Sequence, residues 1–377
     1  LVKCMRFFVI ILVMSLRATY ACADFTPTNP PRSYILMDWD TGTVMAQYNE
    51  NNPYPIASVT KVMTMLLCME AIEENRMSFE DVVTASDYAC SMGGSQIYLE
   101  PGEQMSVKDL IKSVAVASAN DSCVALAEHL YGSTDSFVEA MNQRAKALGM
   151  KNTHFVNCNG LDADNHYSSA MDVAIMSREL LKYDKIRPFL SIWMDSVRNG
   201  AFGLSNTNKL IRFYPGAIGV KTGSTTNAKY CLSAGATKND LTLLAVVLGA
   251  ETTDQRFQTA KELLNYGFAN YEIKTIVNKN ENMGTVEIKK GKVPQVDIVP
   301  EKDFKLLFGK NENKKPKIIL NILEDVSAPI FKGQVLGTAE ILDNTNKITI
   351  NLVATEDIER IELVDVFLDL LKKWTFK

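Results

Sequence analysis

The chain has 377 residues, 46% of them hydrophobic and 22% charged, with a formal charge of −4 at pH 7. That length predicts two domains with a sizeable core, and the mild acidity excludes a nucleic-acid binder, which would carry a basic patch. His129, His154 and His166 are the only histidines and are scattered too widely for a metal cluster, so neither metal nor cofactor is implied.

At the N-terminus Lys3 and Arg6 precede the apolar run Phe7 to Leu16, and Ala21-Cys22-Ala23 supplies a small-x-small cleavage pattern. Residues 1–23 therefore read as a secretory signal, too short for a transmembrane span, with the mature protein starting near Asp24. Cys22 also admits a lipoprotein reading, against which Thr19-Tyr20-Ala21 lacks the usual leucine. Cleavage leaves Cys68, Cys90, Cys123, Cys158 and Cys231, an odd set at irregular spacings that argues against a disulfide framework or a zinc site. Cys68 and Cys123 fall inside apolar helical patterns, where a thiol behaves as a small hydrophobe.

Residues 33–49 read as a β-hairpin around Asp40-Thr41-Gly42, followed by Pro53 and Pro55. Val62, Met65, Leu66 and Met69 recur at helical spacing from Ser58 to Glu74, with Asn75 as a stop. Ser58 thus opens a helix, with its N–H at the positive end of the dipole. Ser106 marks the start of a second helix running to about Ala117, and a third covers about 121–130. Between them lies the polar triplet Ser118-Ala119-Asn120, which by itself reads as a helix cap. A turn-rich passage, Asn157-Cys158-Asn159-Gly160-Leu161, leads into a helix over about 170–181. Strands follow at Gly216 to Thr225, Tyr230 to Ala236 and Leu241 to Leu248, the last two joined at Asn239-Asp240, and then a helix over 254–268 carrying Arg256. Beyond Lys274, short alternating runs separated by Lys, Asn, Gly and Pro predict a small all-β domain. The last segment, Ile358 to Lys377, sets Glu362, Asp365, Asp369 and Lys372 on one helical stripe and Ile361, Val364, Leu368, Leu371 and Trp374 on others, an amphipathic helix suited to a membrane surface.

The chemistry concentrates in three short motifs. Ser58 and Lys61 stand one helical turn apart, within hydrogen-bond reach. A serine hydroxyl is a poor nucleophile until a base takes its proton, and a lysine amine acts as that base when burial or a second cation lowers its pKa. The plain alternative is a capping serine beside a solvated lysine. Ser58-Val59-Thr60-Lys61, Ser118-Ala119-Asn120 and Lys221-Thr222-Gly223 in that order form the Ser-x-x-Lys, Ser-x-Asn, Lys-Thr-Gly combination of the penicillin-interacting serine enzymes.

On these motifs, together with Leu99-Glu100-Pro101-Gly102, Asn159-Gly160-Leu161 and His166-Tyr167-Ser168, the sequence resembles the low-molecular-mass penicillin-binding proteins of the serine-type D-alanyl-D-alanine carboxypeptidase family. The resemblance implies an α+β catalytic domain, an antiparallel sheet flanked by helices as in β-lactamases and transpeptidases, followed by the small all-β domain and the C-terminal amphipathic helix. The expected boundaries are 1–23 signal, 24–274 catalytic, 275–355 β-rich and 356–377 helix. It implies that Ser58 is acylated by a peptidoglycan stem peptide ending in D-Ala-D-Ala and that water then frees it, so that the cross-linking donor is lost. Lys61 is implied as the base, held neutral by Lys221, and Ser118 as the relay to the leaving amine. Asn120 would bind the substrate backbone, Thr222 and Arg256 the terminal carboxylate, and the N–H groups of Ser58 and Ser224 the oxyanion, with Lys221 and Gly223 also among the substrate-binding residues. β-Lactams would be covalent inhibitors, and the place of work the outer face of the cytoplasmic membrane or the cell-wall space.

Three alternatives stand beside this. A class A β-lactamase would need a deacylating glutamate between the second and third motifs; Glu262-Leu263-Leu264-Asn265 looks like that string but follows Lys221. A non-catalytic wall-binding protein would keep the fold with a distorted site. A Ser/His/Asp hydrolase would need His166 near Ser58.

Overall fold

The structure is a computed structural model and describes residues 25–312, 316–343 and 346–367. The expected signal segment and most of the expected terminal helix lie outside the described residues; within them, 363–367 are helical. The described chain forms two compact units, one of 25–277 with 303–312, the other of 278–302, 316–343 and 346–367.

The first unit opens with the expected hairpin, β1 (Ser33–Asp38) and β2 (Val44–Tyr48), closed where the Asp38 carboxylate accepts from the Thr41 N–H at 2.7 Å. The helix expected from Ser58 to Glu74 divides into a 3-10 turn, Ala57–Thr60, and α1 (Lys61–Glu73). The chain enters that turn through Ala57, whose φ of 49° is left-handed, and the turn has no side-chain cap. With three residues per 3-10 turn, side chains three apart eclipse, so Ser58 and Lys61 align more closely than an α-helix would set them. α1 is buried on nearly every side, as an all-round apolar helix must be.

β3 (Val82–Thr84), α2 (Asp87–Cys90) and β4 (Gln104–Ser106) lead to α3 (Val107–Val116), capped as expected by Ser106 Oγ, which accepts from the Asp109 N–H at 3.1 Å. Then come α4 (Asn120–Tyr131), α5 (Thr134–Ala147), α6 (Ala170–Leu180), α7 (Arg187–Leu190), the hairpin of β5 (Met194–Val197) and β6 (Phe202–Ser205), and α8 (Leu210–Phe213). β7 (Ala217–Thr225), β8 (Lys229–Lys238) and β9 (Leu241–Ala250) precede α9 (Thr253–Asn270) and β10 (Tyr271–Val277).

β2, β1, β9, β8 and β7 lie side by side in that order as one antiparallel sheet, with β7 at an edge. Alternation along β9 explains the layers: Leu243, Ala245 and Val247 join Phe257, Ala260 and Leu264 of α9, while Leu244, Val246 and Leu248 join the core built by α1, α3, α4 and α6. Both faces of the sheet are covered, which is why β9 reads as a continuous apolar run.

Past Val277 the chain builds β11 (Gly284–Lys289) and β12 (Gln295–Pro300), then gives β13 (Phe304–Gly309) to the first unit as the antiparallel partner of β10. β14 (Lys317–Ile322), β15 (Val326–Ser327), β16 (Val335–Asp343) and β17 (Asn346–Ala354) complete the second unit, a sheet ordered β14, β16, β17, β12, β11, β15 around Val286, Val296, Ile298, Leu336, Ala339, Ile341 and Leu352.

Candidate active site

Ser58 is the partly exposed residue of a turn whose neighbours Ile56, Ala57, Val59 and Thr60 are buried. Two backbone approaches hold that turn. Gly160, at φ 84°, lies so close that a Cβ on it would meet the Ala57 carbonyl oxygen at 2.0 Å. A Cβ on Gly223 of β7 would meet Ile56 O at 2.7 Å and Ser58 N at 2.8 Å. Only glycine fits either place, and both contacts press strand and loop backbone against the serine.

Lys61, fully buried, donates from Nζ to Ser58 Oγ at 2.9 Å, to Asn120 Oδ1 at 2.6 Å and to the Asn159 carbonyl at 2.6 Å. Burial brings its amine down to about 8. Lys221, 1% exposed, reaches the Thr222 carbonyl at 3.1 Å and falls well below the ordinary lysine range, through burial first, then the charge of Lys61, then that of Arg256. The expected cause is thus redistributed. Desolvation is the first cause of the lowering at both amines, with the charge of Lys61 adding to it at Lys221. The amine of Lys61 is lowered in the direction that the sequence reading requires of a base, with burial as the first cause.

Ser118 has a left-handed φ of 64° and is 4% exposed, and Asn120 is the first residue of α4. The cap reading of this triplet does not hold. Ala119 occupies the N-cap position with no side-chain bond, and the Asn120 amide spans Lys61 and the Gly93 carbonyl, 2.7 Å from its Nδ2. On β7, Lys221 and Thr222 are buried and Ser224 is exposed, and Thr222 Oγ1 is 2.6 Å from Thr207 Oγ1.

Arg256, 6% exposed, donates from Nη1 to the Gly223 and Cys231 carbonyls at 3.1 and 3.2 Å and lies over the rings of Phe257 and Tyr230. Its Nε meets no acceptor among the described residues, and burial brings the guanidinium down to about 10. The arginine therefore sits behind β7 as a buried cation anchored on the strand's backbone.

The His166 ring bonds Thr60 and Val156 and not Ser58. Its Nδ1 accepts from the Val156 N–H at 3.0 Å, so the neutral ring carries its proton on Nε2, 2.7 Å from Thr60 Oγ1, and burial holds it near 4. Glu262 is likewise committed elsewhere, accepting from the Thr28 N–H at 2.8 Å and from Gln258 at 3.0 Å.

The D-alanyl-D-alanine carboxypeptidase family profile matches residues 23–252, and the profile of the C-terminal domain of penicillin-binding protein 5 matches 271–360. The chain belongs to the D-alanyl-D-alanine carboxypeptidase family. The carboxypeptidase DacF of Bacillus subtilis is 42% identical over 91% of this chain and 90% of its own length, and DacC of Escherichia coli is 33% identical over 88% and 85%. Among solved structures, penicillin-binding protein 5 of Haemophilus influenzae matches with a TM-score of 0.74 at 30% identity, covering 89% of this chain and 99% of that one. The regulatory factor PBP3 of Streptococcus pneumoniae matches with 0.76 at 25% identity, covering 89% and 100%.

Two residues of this carboxypeptidase's site escaped the sequence reading. Asn159 works through its backbone carbonyl, which no side-chain pattern announces; its signal is the Asn157-x-Asn159-Gly160 turn, where Asn157 Oδ1 accepts from the Gly160 N–H at 2.7 Å. Asp121, fully buried, takes the N–H groups of Ile97 and Leu99 on its carboxylate, each at 3.1 Å.

Proposed function

We propose that Ser58 carries the acyl group in the reaction of this serine-type D-alanyl-D-alanine carboxypeptidase. The observation that carries the reading is the 2.9 Å contact from Nζ of the fully buried Lys61 to Oγ of the partly exposed Ser58. Neutral Lys61 takes the Ser58 proton as Oγ attacks the carbonyl between the two terminal D-alanines. The N–H groups of Ser58 and Ser224 receive the oxyanion, such donors contributing about 3 kcal/mol each. Ser118 passes the proton from Lys61 to the departing D-alanine amine, leaving an ester on Ser58; water then attacks that ester with the proton path reversed, releasing the shortened peptide and Ser58. Thr222 holds the terminal carboxylate with the buried charge of Arg256 behind it, and Asn120 bonds the peptide backbone.

β-Lactams present the same amide within a strained ring and acylate the same Ser58. Glu262, the residue that would suit rapid β-lactam hydrolysis, is bonded to Thr28 and Gln258, which favours a long-lived adduct. Export and membrane association are part of the proposal. The leader-like residues 1–23 and the amphipathic pattern of 356–377 with its terminal Lys372, Lys373 and Trp374 support them. No helix among the described residues is long and apolar enough to cross a membrane. Incubation with a purified disaccharide pentapeptide is expected to release one D-alanine, read by mass spectrometry; an unchanged pentapeptide would overturn the proposal. Deleting 356–377 is expected to move the protein to the soluble fraction, and unchanged sedimentation with membranes would remove the helix as anchor.

A further inference from the structure

Asn120 serves Lys61 only when its amide is turned one way, Oδ1 toward Nζ at 2.6 Å and Nδ2 toward the Gly93 carbonyl at 2.7 Å. Its backbone N–H donates to the Ser95 carbonyl at 2.7 Å, and a Cβ on Gly94 would press on Nδ2 at 2.9 Å. Residues 93–95 therefore set the amide's orientation. They continue into an irregular stretch, Ile97 to Leu99, with Tyr98 at a left-handed φ of 57° in the middle, whose backbone groups are held by side chains. On one side Asp121 takes the N–H groups of Ile97 and Leu99, each at 3.1 Å. On the other, Arg198 of the turn between β5 and β6 donates to the Ile97 carbonyl at 2.7 Å and the Tyr98 carbonyl at 3.0 Å. The same guanidinium pairs with both oxygens of Glu103, at 2.7 and 2.9 Å, and lies over the Phe202 ring. A planar fork meets four acceptors here, a task a lysine cannot reproduce.

We propose that Arg198 is a positioning residue of this carboxypeptidase. By clamping Ile97, Tyr98 and Glu103 to the β5–β6 hairpin it fixes residues 93–95, and through them the Asn120 amide that fastens Lys61. The proposal rests on the reading of Lys61 as the base of Ser58. Loss of the clamp lets the amide rotate, and Lys61 then loses the Oδ1 acceptor that both aligns it and favours its ammonium form. The groups that face Lys61 are Lys221 on β7, Cys123 and Asp121 on α4 and Cys158 in the 157–160 turn, and none is removed by a change at Arg198.

The test is the rate of acylation by a fluorescent penicillin, followed against pH in the full-length protein, for wild type, Arg198→Ala and Arg198→Lys. The alanine variant is expected to acylate about 10- to 100-fold more slowly, as for a misplaced catalytic group, with the lysine variant between. The acid limb of the profile is expected to move to lower pH in both, a shift that a merely structural role for Arg198 would not produce. Wild-type rates and an unmoved limb in Arg198→Ala, with wild type labelled at Ser58, would overturn the clamp. Where the alanine variant does not fold, a wild-type rate in Arg198→Lys would overturn it equally. Absence of label on wild-type Ser58 would instead overturn the reading of the site on which the clamp rests.

Discussion

Gly160 and Ala57 are in backbone contact so close that a single methyl group on the glycine would lie 2.0 Å from the alanine's carbonyl oxygen. The turn that presents Ser58 is thus wedged between the Asn159-Gly160 loop and Gly223 of β7, and its left-handed Ala57 is held by those neighbours. Gly160→Ala is expected to displace Ser58 and cut penicillin acylation more than about 100-fold. Stopped-flow labelling with circular dichroism as a check of folding measures it.

Lys61 acts as a base only when it has lost its proton, and burial brings it to about 8. Acylation by a neutral β-lactam analogue is expected to rise with pH through that value and level off above it. The sign for stability is the same. The unfolded chain holds the Lys61 proton up to its ordinary range and the folded chain releases it from about 8, so this group makes the protein more stable as pH rises between the two. Chemical denaturation at pH 7.5 and 9.5, in wild type and Lys61→Met, checks it.

His166, held near 4 by burial, stays neutral while an unfolded histidine takes a proton below about 6.5. Stability is therefore present at neutral pH and is lost as pH falls from that value toward 4, by about 3 kcal/mol for a shift of this size. His166→Ala is expected to destabilise the protein at pH 7 by about 1–3 kcal/mol, since it strands the Val156 N–H, and to flatten this acid limb. Its acylation rate is expected to stay near wild type, because the ring bonds Thr60 and Val156. Thermal melts from pH 4 to 7 with parallel labelling decide the point.

Arg256 lies behind β7 with a buried charge and a free Nε among the described residues. Arg256→Ala is expected to lower kcat/KM for a peptide ending in free D-Ala-D-Ala by about 10- to 100-fold, the range of a charge-assisted contact, and to lower it little for the C-terminal amide. Steady-state assays on the two peptides measure the contrast.

Much of the site was legible because its chemistry resides in side chains with fixed spacing: Lys221 to Ser224 fall on the expected strand and Lys61 on the expected helix, while Ser58 sits in a 3-10 turn before that helix and Ser118 and Asn120 lie at a helix junction without capping it. The left-handed Ala57 was hidden, since nothing in its residue type signals a positive φ just before the helix, and its φ goes with the close approach of Gly160 and Gly223. Asn159 acts through a carbonyl, and Asp121 and Arg198 act on backbone far along the chain, so their roles exist only once tertiary contacts bring the segments together. The burial that lowers both Lys61 and Lys221 was hidden for the same reason, as it depends on tertiary packing. In the C-terminal region, alternating runs gave strand type but not partner, and β13 pairs with β10 of the first unit.

The central claim is that Ser58, activated by Lys61, is the acylated residue. Its most direct test is peptide mapping by mass spectrometry after exposure of wild type and Lys61→Ala to benzylpenicillin. The prediction is one penicilloyl adduct on the peptide containing Ser58 in wild type and none in the variant. An adduct on any other residue, or an equal yield on Ser58 in Lys61→Ala, would contradict it.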